Sequence, residues 1–62
     1  MTDLTDRQRE IAQFVSKGWR NKEIALKLGI GVRTVEDHRA TIYEKLGVRN
    51  GAELTRRLLE AE

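Results

Sequence analysis

Asn21-Lys22-Glu23-Ile24-Ala25-Leu26-Lys27-Leu28-Gly29-Ile30-Gly31-Val32-Arg33-Thr34-Val35 is the stretch that decides the fold. Asn21 offers a side-chain cap, and Ile24, Ala25 and Leu28 then fall on one face of a helix of barely two turns. Gly29 ends it. Gly29-Ile30-Gly31 is too short for anything but a tight turn, and Val32 to Leu46 resumes a helical pattern with Val35, Ile42 and Leu46 on one side. A small residue such as Ala25 lets two helices cross closely, a glycine such as Gly29 admits positive φ, and Ile30 and Val35 lock the pair. The pattern predicts a helix-turn-helix followed by a reading helix of about four turns.

Outward from that unit, Thr5 and Gln8 have the capping-box spacing and predict a first helix over about 6–17. Ile11, Phe14 and Val15 give it an inward face, Lys17 suits its last turn, and Gly18 supplies a left-handed stop. Trp19 then packs over the corner between the first two helices. Gly47 stops the third helix, Val48 tucks into the core, and Asn50 caps a fourth helix over about 51–61. Its apolar residues split into two groups, Leu54, Leu58 and Ala61 toward the core, and Ala52, Thr55 and Leu59 more than about 90° away. The expected fold is all-α, with four helices in one domain over 1–62 and no linker, internal repeat or low-complexity tract.

The rest of the composition excludes other classes. The 62 residues include no cysteine, one histidine and no proline, so there is no thiolate metal site, no histidine cluster and no disulfide framework. No apolar run approaches the roughly 18 residues that span a bilayer, and the chain reads as cytosolic. Neither an acid–base pair nor a nucleophile with a histidine partner nor a phosphate-cradling glycine loop is present, so no catalytic residue, cofactor or metal is assigned. Charge is uneven. Between Lys17 and Arg49 stand eight basic and four acidic residues, a net +4, while the two ends together carry four basic and six acidic, a net −2. Positive potential gathered in the helix-turn-helix segment suits a polyanion.

A helical wheel anchored on an inward Val35 places Ile42 and Leu46 within about 20° of it, and Arg33, Asp37, Ala40 and Glu44 opposite. Because the N-terminal part of a recognition helix meets base edges, Arg33, Glu36, Asp37 and Ala40 are the geometric candidates for readout. Arginine favours guanine, and a carboxylate accepts from the cytosine amino group; the wheel leaves open whether Arg33 reaches guanine or phosphate. Phosphate contacts fall to Arg20, Lys22, Lys27 and Arg49, with Arg39 and Lys45 at the helix margins. His38 lies beside the inward stripe, where a hydrogen-bonded structural role and a phosphate contact are both open. Glu44 reads as solvated surface.

The chain also resembles the LuxR/GerE-type DNA-binding domains, and more particularly their FixJ-like response-regulator subgroup. The resemblance runs from Leu4-Thr5, Arg7 and Glu10-Ile11 through Gly18 and Asn21-Lys22-Glu23-Ile24-Ala25. It continues over Leu28, Thr34-Val35-Glu36, His38-Arg39-Ala40, Lys45-Leu46-Gly47-Val48 and Asn50. It implies a third helix in the major groove and a fourth helix that pairs subunits on a two-fold-related operator, with Thr34, Val35, Glu36, His38, Arg39 and Lys45 on DNA and Lys22 near a phosphate. It departs from the family at Gln8, where glutamate is usual, at Arg20 for a small hydroxyl residue, at Gly31 for the serine cap of helix 3, and at Gly51 for a basic residue. Ala52, Thr55 and Leu59 are the expected contacts of a weak homodimer. The expected function is sequence-specific binding of double-stranded DNA by a bacterial transcription regulator, cytoplasmic and on the nucleoid. The alternative is a protein-interaction module that docks RNA polymerase or another regulator through helix 3. Family members commonly carry such a domain at the C-terminus of a receiver or ligand sensor, and whether this chain stands alone is open.

Overall fold

A computed structural model of the chain describes residues 4–60. Four helices follow one another: α1 (Asp6–Ser16), α2 (Asn21–Leu28), α3 (Val32–Leu46) and α4 (Gly51–Glu60). The all-α, four-helix expectation holds, with the bounds of α3 as read and α1 one residue shorter. Thr5 caps α1 through the reciprocal box, its Oγ1 accepting the Gln8 N–H and its own N–H donating to Gln8 Oε1, each at 3.1 Å.

The cap of α2 differs from the expectation. Arg20, in extended backbone, is the N-cap residue, and Asn21 is already inside the helix. The Arg20 N–H donates to Glu23 Oε1 at 2.7 Å, so a carboxylate three residues on takes the orphan donor. This releases the Asn21 side chain for a longer-range bond. At α4 the expected cap is present, since Asn50 Oδ1 accepts the Glu53 N–H at 2.9 Å. Gly31 precedes α3 without a side-chain cap.

The turn between α2 and α3 closes as the sequence requires. Gly29 has φ +68° and ψ +35°, a left-handed conformation that costs an L-residue about 1–2 kcal/mol, and the Ile30 N–H returns to the Ala25 carbonyl at 3.0 Å. The Trp19 N–H returns to Phe14 and the Val48 N–H to Tyr43 in the same six-to-one closure, each at 3.0 Å. In all three the residue after the glycine is apolar and packs against the core. Each of these three helix ends therefore plants a hydrophobic anchor while satisfying a carbonyl. Trp19 meets Phe14 with ring centroids 4.4 Å apart, forming the corner between α1 and α2.

The core consists of Ile11, Ala12 and Val15 of α1, Ile24 and Ala25 of α2, Val35, Ile42 and Leu46 of α3, and Leu54 of α4. Phe14 and Leu28 are half-buried at its edge. In α4 the fully buried anchor is Leu54, whereas Leu58 is half-buried; Ala61 lies outside the described residues. Gln8 is the buried polar residue among those described, 7% exposed. Its Oε1 accepts from Lys45 Nζ at 2.9 Å in addition to the cap, which ties the last turn of α3 to the first turn of α1. Beyond this, Arg57 Nη1 donates to the Leu46 carbonyl at 2.8 Å, closing the C-terminal end of α3 from α4.

Candidate nucleic-acid interface

α3 has one face in the core and the other in solvent, and this division sets the site. Val35 and Ile42 are 0% exposed and Leu46 5%. Arg33, Thr34, Glu36, Asp37 and Ala40 are exposed, while His38 and Arg39 are half-buried at the boundary. The four expected reading residues, Arg33, Glu36, Asp37 and Ala40, are thus brought together on the outward face of the helix over its first nine residues. Val35 is the exception among the DNA contacts implied by resemblance. It has no surface to present to a base, because its position on the wheel is the one that locks α3 onto α2.

The outward face carries an internal ion pair. Arg33 Nε lies 3.4 Å from Asp37 Oδ1, one helical turn on, with side-chain exposures of 85% and 71%. Glu36 is exposed beside it. Over the whole of α3, Arg33, Arg39 and Lys45 are balanced by Glu36, Asp37 and Glu44. A helix with no formal charge contributes little to attracting phosphates.

The basic residues outside that face sit around the helix-turn-helix. Arg20 and Lys22 are exposed at the start of α2, where the helix dipole adds to their charge. Lys27 is exposed in its last turn, and Arg49 is exposed between α3 and α4 with its N–H donating to Glu53 Oε1 at 2.7 Å. Lys45 is exposed with its ammonium on Gln8.

Arg39 has a role that sequence reasoning missed. Its Nη1 donates to Asn21 Oδ1 at 2.7 Å and its Nη2 to Tyr43 Oη at 2.6 Å, with the guanidinium carbon 5.6 Å from the Tyr43 ring centre. The guanidinium spans from the start of α2 to the second half of α3, and so fixes how the two helices cross. The spacing of Arg39 and Tyr43 was a visible signal. The contact with Asn21, across 18 positions, was not. Leu26 is a second omission, 81% exposed on α2.

On α4, Leu59 is 69% exposed and Ala52 exposed. Thr55 is half-buried, its hydroxyl donating to the Gly51 carbonyl at 2.9 Å. Thr55, Leu58 and Leu59 face Leu4, Arg9 and Gln13 across an open groove between α4 and α1.

No helix among the described residues is long and apolar enough to cross a membrane. The family model for bacterial regulatory proteins of the luxR family matches residues 2–58. The chain is 47% identical over 57 residues to the transcriptional regulatory protein UhpA of Escherichia coli, a match covering 92% of this chain and 29% of that protein. It is 52% identical over 54 residues to the tetrathionate response regulatory protein TtrR of Salmonella typhimurium, covering 87% of this chain and 26% of that one. With the oxygen regulatory protein NreC of Staphylococcus aureus it shares 47% identity over 51 residues, 82% of this chain and 24% of that protein. The chain spans less than a third of the length of these relatives. A buried Val35–Ile42–Leu46 seam, a polar outward face on the same helix and a match over nearly the whole length agree: the chain belongs to the LuxR family of bacterial regulatory proteins, as a helix-turn-helix DNA-binding domain.

Proposed function

We propose that residues 1–62 act as one reading head that inserts α3 into the major groove and binds a two-half-site operator as a weak dimer through α4, in the cytoplasm and on the nucleoid. The observation that carries this is the division of α3, apolar and fully buried on one side, charged and exposed on the other over its N-terminal half. Thr34, Glu36 and Ala40 face the base edges with Arg33 and Asp37, and His38 stands at the margin. Arg20, Lys22, Lys27 and Arg49 hold phosphates on either side, with Lys45 at the end of the helix. This arrangement separates attraction, supplied by the rim, from selectivity, supplied by α3.

The dimer rests on Leu59, whose exposure has no role in the monomer, with Ala52 and Thr55 beside it. Docking of a protein such as RNA polymerase through α3 finds less support, because that helix's outward face is charged and Leu26, an apolar side chain 81% exposed, lies on α2. Fluorescence anisotropy of labelled duplexes over a salt series tests the proposal. Affinity falls with a log–log slope near −0.9 for each phosphate neutralised, and one duplex from a random pool is retained preferentially. Absence of duplex binding at low salt and high protein concentration would refute it.

A further inference from the structure

The outward face of α3 carries an ion pair that adds little to the stability of the fold. The Arg33 and Asp37 side chains are 85% and 71% exposed. The pair nevertheless stands on the second and sixth residues of α3, opposite fully buried Val35, where base edges pass in the proposed docking. We propose that Arg33 and Asp37 form a single reading unit in which the carboxylate holds the guanidinium by its Nε so that Nη1 and Nη2 meet O6 and N7 of a guanine. The inference rests on the major-groove reading of α3 given above.

The geometry supports it through the donors left over. A guanidinium offers two forked edges, Nε with one Nη, and the two Nη together. Asp37 Oδ1 engages Nε at 3.4 Å, so the terminal fork remains, and this fork matches guanine's two major-groove acceptors. Direction agrees as well. Helical side chains lean toward the N-terminus, which would carry an untethered arginine at this position toward the rim of the groove; Asp37, one turn later, draws it back along the outward face. Ala40, three residues beyond Asp37, is small and exposed, leaving room for a base pair beside the unit. Holding the long side chain before binding also removes part of the ordering cost, and the contact strengthens when the groove displaces water from it. The unit resolves an electrostatic difficulty, since a carboxylate paired with Arg33 repels phosphates less than a bare one.

The experiment takes a duplex selected from a random pool by the wild-type domain and measures every single-base-pair variant at one salt concentration. Wild type, Arg33→Ala, Asp37→Ala, Asp37→Asn and the double alanine variant are compared by anisotropy. One guanine should cost wild type about 5- to 150-fold in affinity when replaced. Arg33→Ala should abolish that penalty, and Asp37→Ala should shrink it several-fold while binding unrelated duplex more tightly. Asp37→Asn, which keeps an acceptor oxygen at the same reach, should retain most of it, and the double variant should match Arg33→Ala. Both positions are exposed, so thermal denaturation should show all variants folded. If Asp37→Ala keeps the full wild-type penalty at every base pair, the unit does not exist. If Arg33→Ala instead weakens every operator equally and makes the salt slope shallower, Arg33 holds phosphate and the inference falls. A wild-type domain that binds duplex without selecting any sequence removes the major-groove reading itself, an outcome distinct from the other two.

Discussion

Replacing Arg39 by alanine removes the bridge between the start of α2 and the second half of α3. Two hydrogen bonds from a charged donor are lost, at 2.7 Å to Asn21 Oδ1 and 2.6 Å to Tyr43 Oη. Such bonds contribute about 1.5–3 kcal/mol each when desolvated, but the guanidinium is half-buried and water replaces part of the loss. A total of about 2 kcal/mol is the reasoned figure. In a domain of this size, 1 kcal/mol moves Tm by about 4–8 °C, so Arg39→Ala should lower Tm by roughly 8–16 °C. Arg39→Lys should recover little, because a lysine ammonium has no planar fork to reach both partners at once. A double-mutant cycle with Asn21→Ala, followed by calorimetry, isolates the bond and should give a coupling of about 1 kcal/mol. Additivity of the two substitutions within about 0.3 kcal/mol, or a Tm shift too small to measure, would show that Arg39 does not brace the helix-turn-helix. Recovery of DNA affinity by Arg39→Lys without recovery of Tm would assign its charge to a phosphate in addition.

Further outcomes follow from the burial pattern. Leu54→Ala, at a site 0% exposed, should cost about 2–5 kcal/mol and unfold much of the domain, whereas Leu59→Glu should change stability by less than about 0.5 kcal/mol yet weaken cooperative binding to a two-half-site operator. Gly51→Ala should stabilise by about 0.4–1 kcal/mol, since an added Cβ meets Val15 Cγ1 at 3.4 Å and Arg39 Nη2 at 3.8 Å, both ordinary contacts; a lower Tm would mean the start of α4 is packed more tightly than its distances indicate. Glu36→Ala should leave non-specific affinity equal or higher while relaxing preference at one or two base pairs per half-site, by about 1–3 kcal/mol each, read from the same operator panel.

The parts of this fold legible in the sequence are those governed by neighbours in the chain. The Thr5–Gln8 box, the Gly29 turn, the limits of α3 and the Val35–Ile42–Leu46 seam all depend on spacings of a few residues, and each has the expected form. Asn21 shows where such reasoning ends. By type it is a good N-cap, but Glu23 takes the Arg20 N–H, and the asparagine oxygen is used by Arg39. Nothing local distinguishes the two uses. The Gln8–Lys45 bond, across 37 positions, and the Arg57 cap on Leu46 were equally invisible. Val35 illustrates a different error, in which a position matched by resemblance was assigned a contact its buried side chain cannot make. The Arg33–Asp37 ion pair is different again: its four-residue spacing was visible in the sequence, but the wheel placed both residues on one face without pairing them.

The distribution of charge gives these details a common consequence. α3 carries as many acids as bases, so inserting it into the groove gains little from phosphates and exposes two carboxylates to them. In the proposed docking affinity then comes from the rim, whose phosphate contacts act alike on every sequence. Lys22→Ala, at an exposed position in the first turn of α2, should therefore weaken specific and unrelated duplexes by the same factor and make the salt slope shallower by about one per subunit, leaving the ratio between them unchanged. Substitutions at Arg33, Glu36 or Asp37 should change that ratio. The test plots specific against non-specific affinity for both groups of variants at matched salt, where rim variants should move along the diagonal and α3 variants off it. A Lys22 variant that lost sequence preference as well as affinity would show that α2 orients α3 through its phosphate contact, and the separation of attraction from selectivity would fail.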